Sequence, residues 1–109
     1  MKDDNKVTRG SKNVFADLGF ADAEERQTKL RLAYAINAIL EERRFTQAEV
    51  ARVLGASQPK VSSLANYKLE GFSVERLMTY LTALDRDVQI VIKKKPRSRS
   101  SARISVEAA

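Results

Sequence analysis

Residues 46 to 66 read Thr-Gln-Ala-Glu-Val-Ala-Arg-Val-Leu-Gly-Ala-Ser-Gln-Pro-Lys-Val-Ser-Ser-Leu-Ala-Asn, and this stretch decides the fold. Thr46 and Glu49 have capping-box spacing, in which the hydroxyl accepts from the amide of Glu49 while the carboxylate reaches back to the amide of Thr46. Val50, Ala51, Val53 and Leu54 then form one apolar stripe. Gly55 supplies a residue that turns left-handed without steric cost. Ser57 can cap a second helix whose first turn holds Pro59, where a missing amide hydrogen does little harm. Val61 and Leu64 are the inward positions of that helix, leaving Gln58, Lys60, Ser62, Ser63 and Asn66 for its outer faces. Helices this short bury little alone, so the unit must pack on something larger. The expectation is a helix-turn-helix able to offer its second helix to the major groove of DNA.

The chain has 109 residues, enough for one domain with a modest core. Its hydrophobic fraction of 43% and charged fraction of 31% suit a globular protein that carries no membrane span. The opening Met-Lys-Asp-Asp-Asn-Lys has no apolar segment behind it, so no secretory signal is expected. Cysteine is absent, which removes a disulfide framework and thiolate metal sites and is compatible with a cytoplasmic location. Histidine is absent too, taking away the usual general base near neutral pH and the commonest zinc ligand. No cofactor, metal site or enzymatic activity is expected.

The net charge of +6 is unevenly placed. Residues 21–92 carry ten basic and ten acidic side chains, so the folded part is balanced. Residues 93–109 hold Lys93, Lys94, Lys95, Arg97, Arg99 and Arg103 against Glu107. The basic character is therefore mostly a property of the tail, and alone it argues only weakly for nucleic-acid binding.

Around the central motif, residues 1–20 read as an amino-terminal arm, disordered to about residue 12. Within it, Val14, Phe15, Leu18 and Phe20 are too apolar for a purely solvated segment. They suggest either a short turn of helix stopped by Gly19 and tucked onto the domain, or a segment that orders on a partner protein. Asp22 and Glu25 repeat the capping-box spacing, predicting a first long helix from Ala23 to about Arg43. Leu32, Ala35, Ile36, Ile39 and Leu40 form its core-facing stripe. Leu69 and Phe72 should plug a loop into the domain, and Ser73 caps a helix carrying Val74, Leu77, Met78, Leu81 and Leu84. From Asp87 to Lys93 the period changes to an alternation of β-branched residues, a strand signature. A lone strand leaves its amides unpaired, so the same strand of a second copy should complete a two-stranded antiparallel ribbon across a homodimer. The other reading is an extended segment lying over one subunit. The domain is thus expected at 21–93, with its motif at 47–66, the strand at 87–93 and a flexible basic tail at 94–109.

The series Thr46-Gln47, Ala51, Leu54-Gly55, Ser57-Gln58, Val61-Ser62 and Leu64 resembles the phage-repressor/Cro family of helix-turn-helix proteins, often called XRE. Several flanking segments are similar to HigA-type antitoxins within that family: residues 13–25, Gln58 to Ser62, Phe72 to Leu77, and Asp87-Val88. The resemblance covers roughly residues 13 to 95. It implies a lambda-repressor-like bundle of four or five helices that binds double-stranded operator DNA as a dimer. For the antitoxin branch it implies a partner, a small messenger-RNA-cleaving toxin of the RelE/HigB kind. One departure is Asn66-Tyr67-Lys68-Leu69, where many members carry a Glu and a Gly after the recognition helix.

The candidate DNA contacts are Gln47, Ser57, Gln58, Lys60, Ser62, Ser63, Asn66 and Lys68. Family members use the residue matching Gln47 to touch a phosphate at the helix amino terminus, where free amides and the helix dipole favour an anion. A Gln at position 58 can pair with adenine N6 and N7. Lys60 could reach a guanine acceptor or a phosphate, the phosphate being slightly favoured. Ser62 and Ser63 need close approach, while Asn66 and Lys68 lie toward the far end and should meet phosphates. Against each stands the plainer reading of a solvated helix face. Ser57-x-x-Lys60 also fits an acyl-enzyme pattern, but the chain is too short for that fold and lacks its other motifs.

The expected function is sequence-specific DNA binding and repression, with toxin neutralisation if the chain is an antitoxin. Alternatives are a stand-alone phage-type regulator and a module devoted mainly to protein binding. A small basic ribonuclease is the least favoured class.

Overall fold

The computed structural model describes residues 14–108, with side chains from residue 22 onward. Among them are four helices, α1 (Val14–Arg43), α2 (Gln47–Leu54), α3 (Gln58–Ala65) and α4 (Val74–Ala83). α1 packs chiefly on α4 and also touches α3, while α2 packs on α3 and α4. Leu32, Ala33, Ile36 and Ile39 of α1 meet Val50, Leu54, Val61, Leu64, Leu77 and Leu81 in one core. Leu69 and Phe72 plug the α3–α4 loop into it, as their apolar character requires. The Phe72 and Tyr80 rings meet edge to face, their centres 6.1 Å apart and their planes at 74°.

α1 begins earlier than the sequence predicts. Gly19 lies inside it, and Asp22 does not cap it. A glycine costs a helix interior about 1 kcal/mol but leaves its hydrogen-bond ladder intact. Asp22 instead pairs with Arg26 at 3.1 Å, and Glu25 with Lys29 at 3.5 Å, one turn along the same helix. Helical partners have thus replaced the capping role. Residues 1–13 lie outside the described residues, as do the side chains of Phe15 and Leu18, whose tucking the sequence suggests.

The expected strand at 87–93 is not formed in the single copy: these residues carry no regular element. Ile90 is 73% exposed, Val91 67% and Ile92 93%, so the segment does not lie over its own subunit either. A strand exists only through ladder bonds to a neighbour. Among the described residues there is no sheet edge to offer one, so the alternating pattern has nothing there to pair with in a single copy.

Beyond Pro96, where the sequence suggests a flexible tail, the amide of Arg99 donates to the carbonyl of Pro96 at 3.2 Å and closes a turn. Lys95 Nζ donates to the carbonyl of Arg99 at 2.7 Å. Further on, Val106 is half-buried against the core.

Candidate nucleic-acid interface

The amino end of α2 is fixed locally. Thr46 N donates to Glu49 Oε1 at 2.7 Å, and Glu49 N donates to Thr46 Oγ1 at 3.2 Å. The Thr46 amide, and then its hydroxyl, hold the Glu49 carboxyl below its ordinary value, and the charge of Arg52 adds a smaller push in that direction. Gln47 is the first residue of the helix and is exposed. At the other end Gly55 takes φ 67° and ψ 35°, and its amide donates to the carbonyl of Ala51. That left-handed residue lets Ala56 and Ser57 turn back into α3.

Ser57 Oγ accepts from the amide of Lys60 at 3.3 Å, so its hydroxyl serves as the cap of α3. Pro59 stands in the first turn. Val61 is 4% exposed and Leu64 1%, which fixes the rotation of the helix about its axis. At about 100° per residue, Pro59, Ser62, Ser63 and Asn66 fall on the face opposite those two, with Gln58 and Lys60 on its flanks. Gln58 is exposed at the amino end, whereas Ser62 and Ser63 are half-buried.

Lys60 turns away from that face. Its Nζ donates to the carbonyl of Gly71 at 2.7 Å and sits 4.7 Å from the centre of the Phe72 ring. The ammonium thereby ties α3 to the loop before α4. Gly71 leaves room for it, since a Cβ there would lie 3.1 Å from Nζ.

Asn66 closes α3: its Nδ2 donates to the carbonyl of Ser62 at 2.9 Å. The Lys68 amide donates to the carbonyl of Ser63 at 2.9 Å, and the Tyr67 amide to that of Leu64 at 3.2 Å. Tyr67 adopts φ 59° to allow this. Glycine takes that conformation freely, whereas a tyrosine bears about 1 kcal/mol of strain. The helix-ending geometry is therefore met by a residue unsuited to it. Lys68 is exposed just beyond.

Two supporting residues are not apparent from the sequence pattern. Asn37 Nδ2 donates to the carbonyl of Leu64 at 3.1 Å, pinning the carboxyl end of α3 to α1. Arg43 Nη2 donates to the carbonyl of Leu84 at 3.0 Å and closes α4. A polar Asn beside the apolar stripe of α1 was the one available hint, and it named no partner.

Gln47, Gln58, Asn66 and Lys68 are thus exposed around the motif, Ser57 and Lys60 make internal contacts, and the two serines are half-buried between them. Among the described residues no group of His, Cys, Asp or Glu could hold a metal ion, and no helix is long and apolar enough to cross a membrane.

Residues 14–93 match a family described as a helix-turn-helix domain. A solved structure provisionally described as an XRE family transcriptional regulator is 73% identical, with a TM-score of 0.78. The match covers 81% of this chain and 99% of that one. None of the curated proteins matches the chain. With the α2–turn–α3 geometry above, these likenesses make the chain a member of the XRE family of helix-turn-helix proteins.

Proposed function

We propose that this chain is a sequence-specific DNA-binding repressor that reads the major groove with α3. The observation that carries this is the orientation of α3: Val61 and Leu64 are locked inward while Gln58 stands exposed at the amino end. The description of its solved relative as a transcriptional regulator supports the same role. Gln58 is the base-reading residue, suited to adenine N6 and N7. Gln47 and Lys68 contact phosphates, and Ser62, Ser63 and Asn66 approach the groove between them. Ser57 acts by capping α3, and Lys60 by bracing it. No chemistry is catalysed, and a cytoplasmic location suits the role.

The acting form is a homodimer. Residues 87–93 of two copies pair as an antiparallel ribbon, which would cover exposed Ile90 and Ile92 and satisfy amides that one copy leaves unpaired. Two α3 helices then meet successive major grooves about 34 Å apart on a near-palindromic site. Within this role the chain is the antitoxin of a type II pair, repressing its own operon and neutralising a messenger-RNA-cleaving toxin. What supports this is the similarity of its flanking segments to HigA-type antitoxins. A stand-alone regulator is the reading to prefer if no toxin is encoded beside it.

Selection of duplexes from a random library tests the DNA reading. The result expected is a two-fold related site with half-sites one helical turn apart, and recovery of unrelated sequences would count against it. Deletion of residues 87–109 should halve the mass in solution. An unchanged dimer would remove the ribbon.

A further inference from the structure

The carboxyl-terminal segment is anchored, and its anchor adjoins the proposed reading helix. Val106 and Ala108 line a groove of about 380 Å³ whose other walls are Leu30, Arg31 and Tyr34 of α1 together with Tyr67. Val106 is half-buried there while its immediate neighbours are exposed. Tyr67 directly follows Asn66, the residue that closes α3. The left-handed turn of Tyr67 thus both ends α3 and supplies one wall of the groove.

Between buried Leu84 and half-buried Val106, the chain is held at two points. All six basic residues of the carboxyl-terminal segment, Lys93 to Arg103, fall inside that loop, and residues 88–106 contain no acidic side chain. With the segment docked, Gln58, Asn66 and Lys68 are still exposed. It therefore leaves the reading face uncovered.

We infer that residues 93–108 form a docked cationic strap, anchored by Val106 in the Leu30–Tyr34–Tyr67 groove, which holds its basic side chains against the DNA backbone flanking the carboxyl end of α3. This rests on the DNA-binding reading above. Its physical basis is effective concentration: a chain fixed at both ends samples far less volume than a free tail, so its cations stay near the phosphates they neutralise. Such a strap adds a sequence-independent, salt-sensitive contribution to affinity without reading bases.

The test compares the full chain with Val106→Ser, which frees the anchor, and Val106→Ile, which keeps it apolar. Neither substitution changes charge. Limited trypsin digestion, with products identified by mass, reads docking without DNA. Cleavage after Arg97, Arg99 and Arg103 should be at least about fivefold faster in Val106→Ser and unchanged in Val106→Ile. Titration of a random-sequence DNA duplex against salt reads the consequence. The log–log slope should become shallower by about 2 in Val106→Ser, corresponding to about two lost phosphate contacts. Equal cleavage in all three chains would overturn the strap. Faster cleavage with an unchanged slope, or with tighter binding, would overturn its service to DNA. Failure of the full chain to bind any duplex would overturn the underlying DNA reading, an outcome the trypsin result keeps separate from loss of docking.

Discussion

Replacing Lys60 with Met separates bracing from DNA contact at one position. Methionine keeps most of the aliphatic stem but loses the ammonium, so the 2.7 Å bond to the Gly71 carbonyl and the 4.7 Å approach to the Phe72 ring are lost together. A hydrogen bond from a charged donor contributes about 1.5–3 kcal/mol, and exposure of this one to water argues for the lower end or below. An exposed cation–π contact adds about 0.5–1 kcal/mol, and because the two share one ammonium they do not add fully. The expected cost is about 1–2 kcal/mol of stability, appearing in urea denaturation as a lower midpoint with an unchanged slope. DNA affinity should fall only through the loosened α3–α4 loop, leaving its salt dependence as in the parent chain. If Lys60 leaves Gly71 to meet a phosphate, the pattern inverts. Stability would then stay within about 0.3 kcal/mol of the parent while the log–log salt slope drops by about 1, and that result would refute the bracing role.

Gly55→Ala tests the turn itself. Nothing lies within 4 Å of the added Cβ, so the cost is purely conformational at φ 67°, about 1–2 kcal/mol in thermal or urea unfolding, with Gly55→Asn costing less. A cost equal for Ala and Asn would show that handedness is not what matters there. The Glu49 carboxyl, held below its ordinary value by Thr46, gives a pH signature. Its native pKa is depressed, so its contribution is complete above the unfolded value and is lost as pH falls through the native one. The stability advantage of the parent over Glu49→Gln should therefore shrink on acidification below the ordinary glutamate range. An advantage independent of pH would mean the capping carboxylate is not responsible.

The parts of the fold legible in the sequence are those decided within one helical turn. Thr46 with Glu49, Ser57 with Lys60, and Ser73 with Arg76 each satisfy a helix end from residues three apart, and the structure has all three caps. Val61 and Leu64 were equally legible, because a single helix cannot bury both without exposing the opposite face. What eluded the sequence is non-local. Asn37 reaches Leu64, Arg43 reaches Leu84, and Lys60 finds Gly71, and no spacing rule links such partners. The start of α1 departs from the sequence pattern for a different reason: Gly19 and Asp22 are weak stop and start signals that a continuous helical ladder overrides. The alternating residues 87–93 pose a third problem, since a strand pattern announces a need for a partner but does not say where the partner is.

The most direct test of the central claim is the binding of Gln58→Ala to the selected site, to that site with each base pair changed in turn, and to random duplex, all at one salt concentration. The proposed mechanism requires a loss of about 1–3 kcal/mol on the selected site, relaxed preference at one base pair, and little change on random DNA. Equal loss on selected and random duplexes, with no position relaxed, would contradict base reading by Gln58.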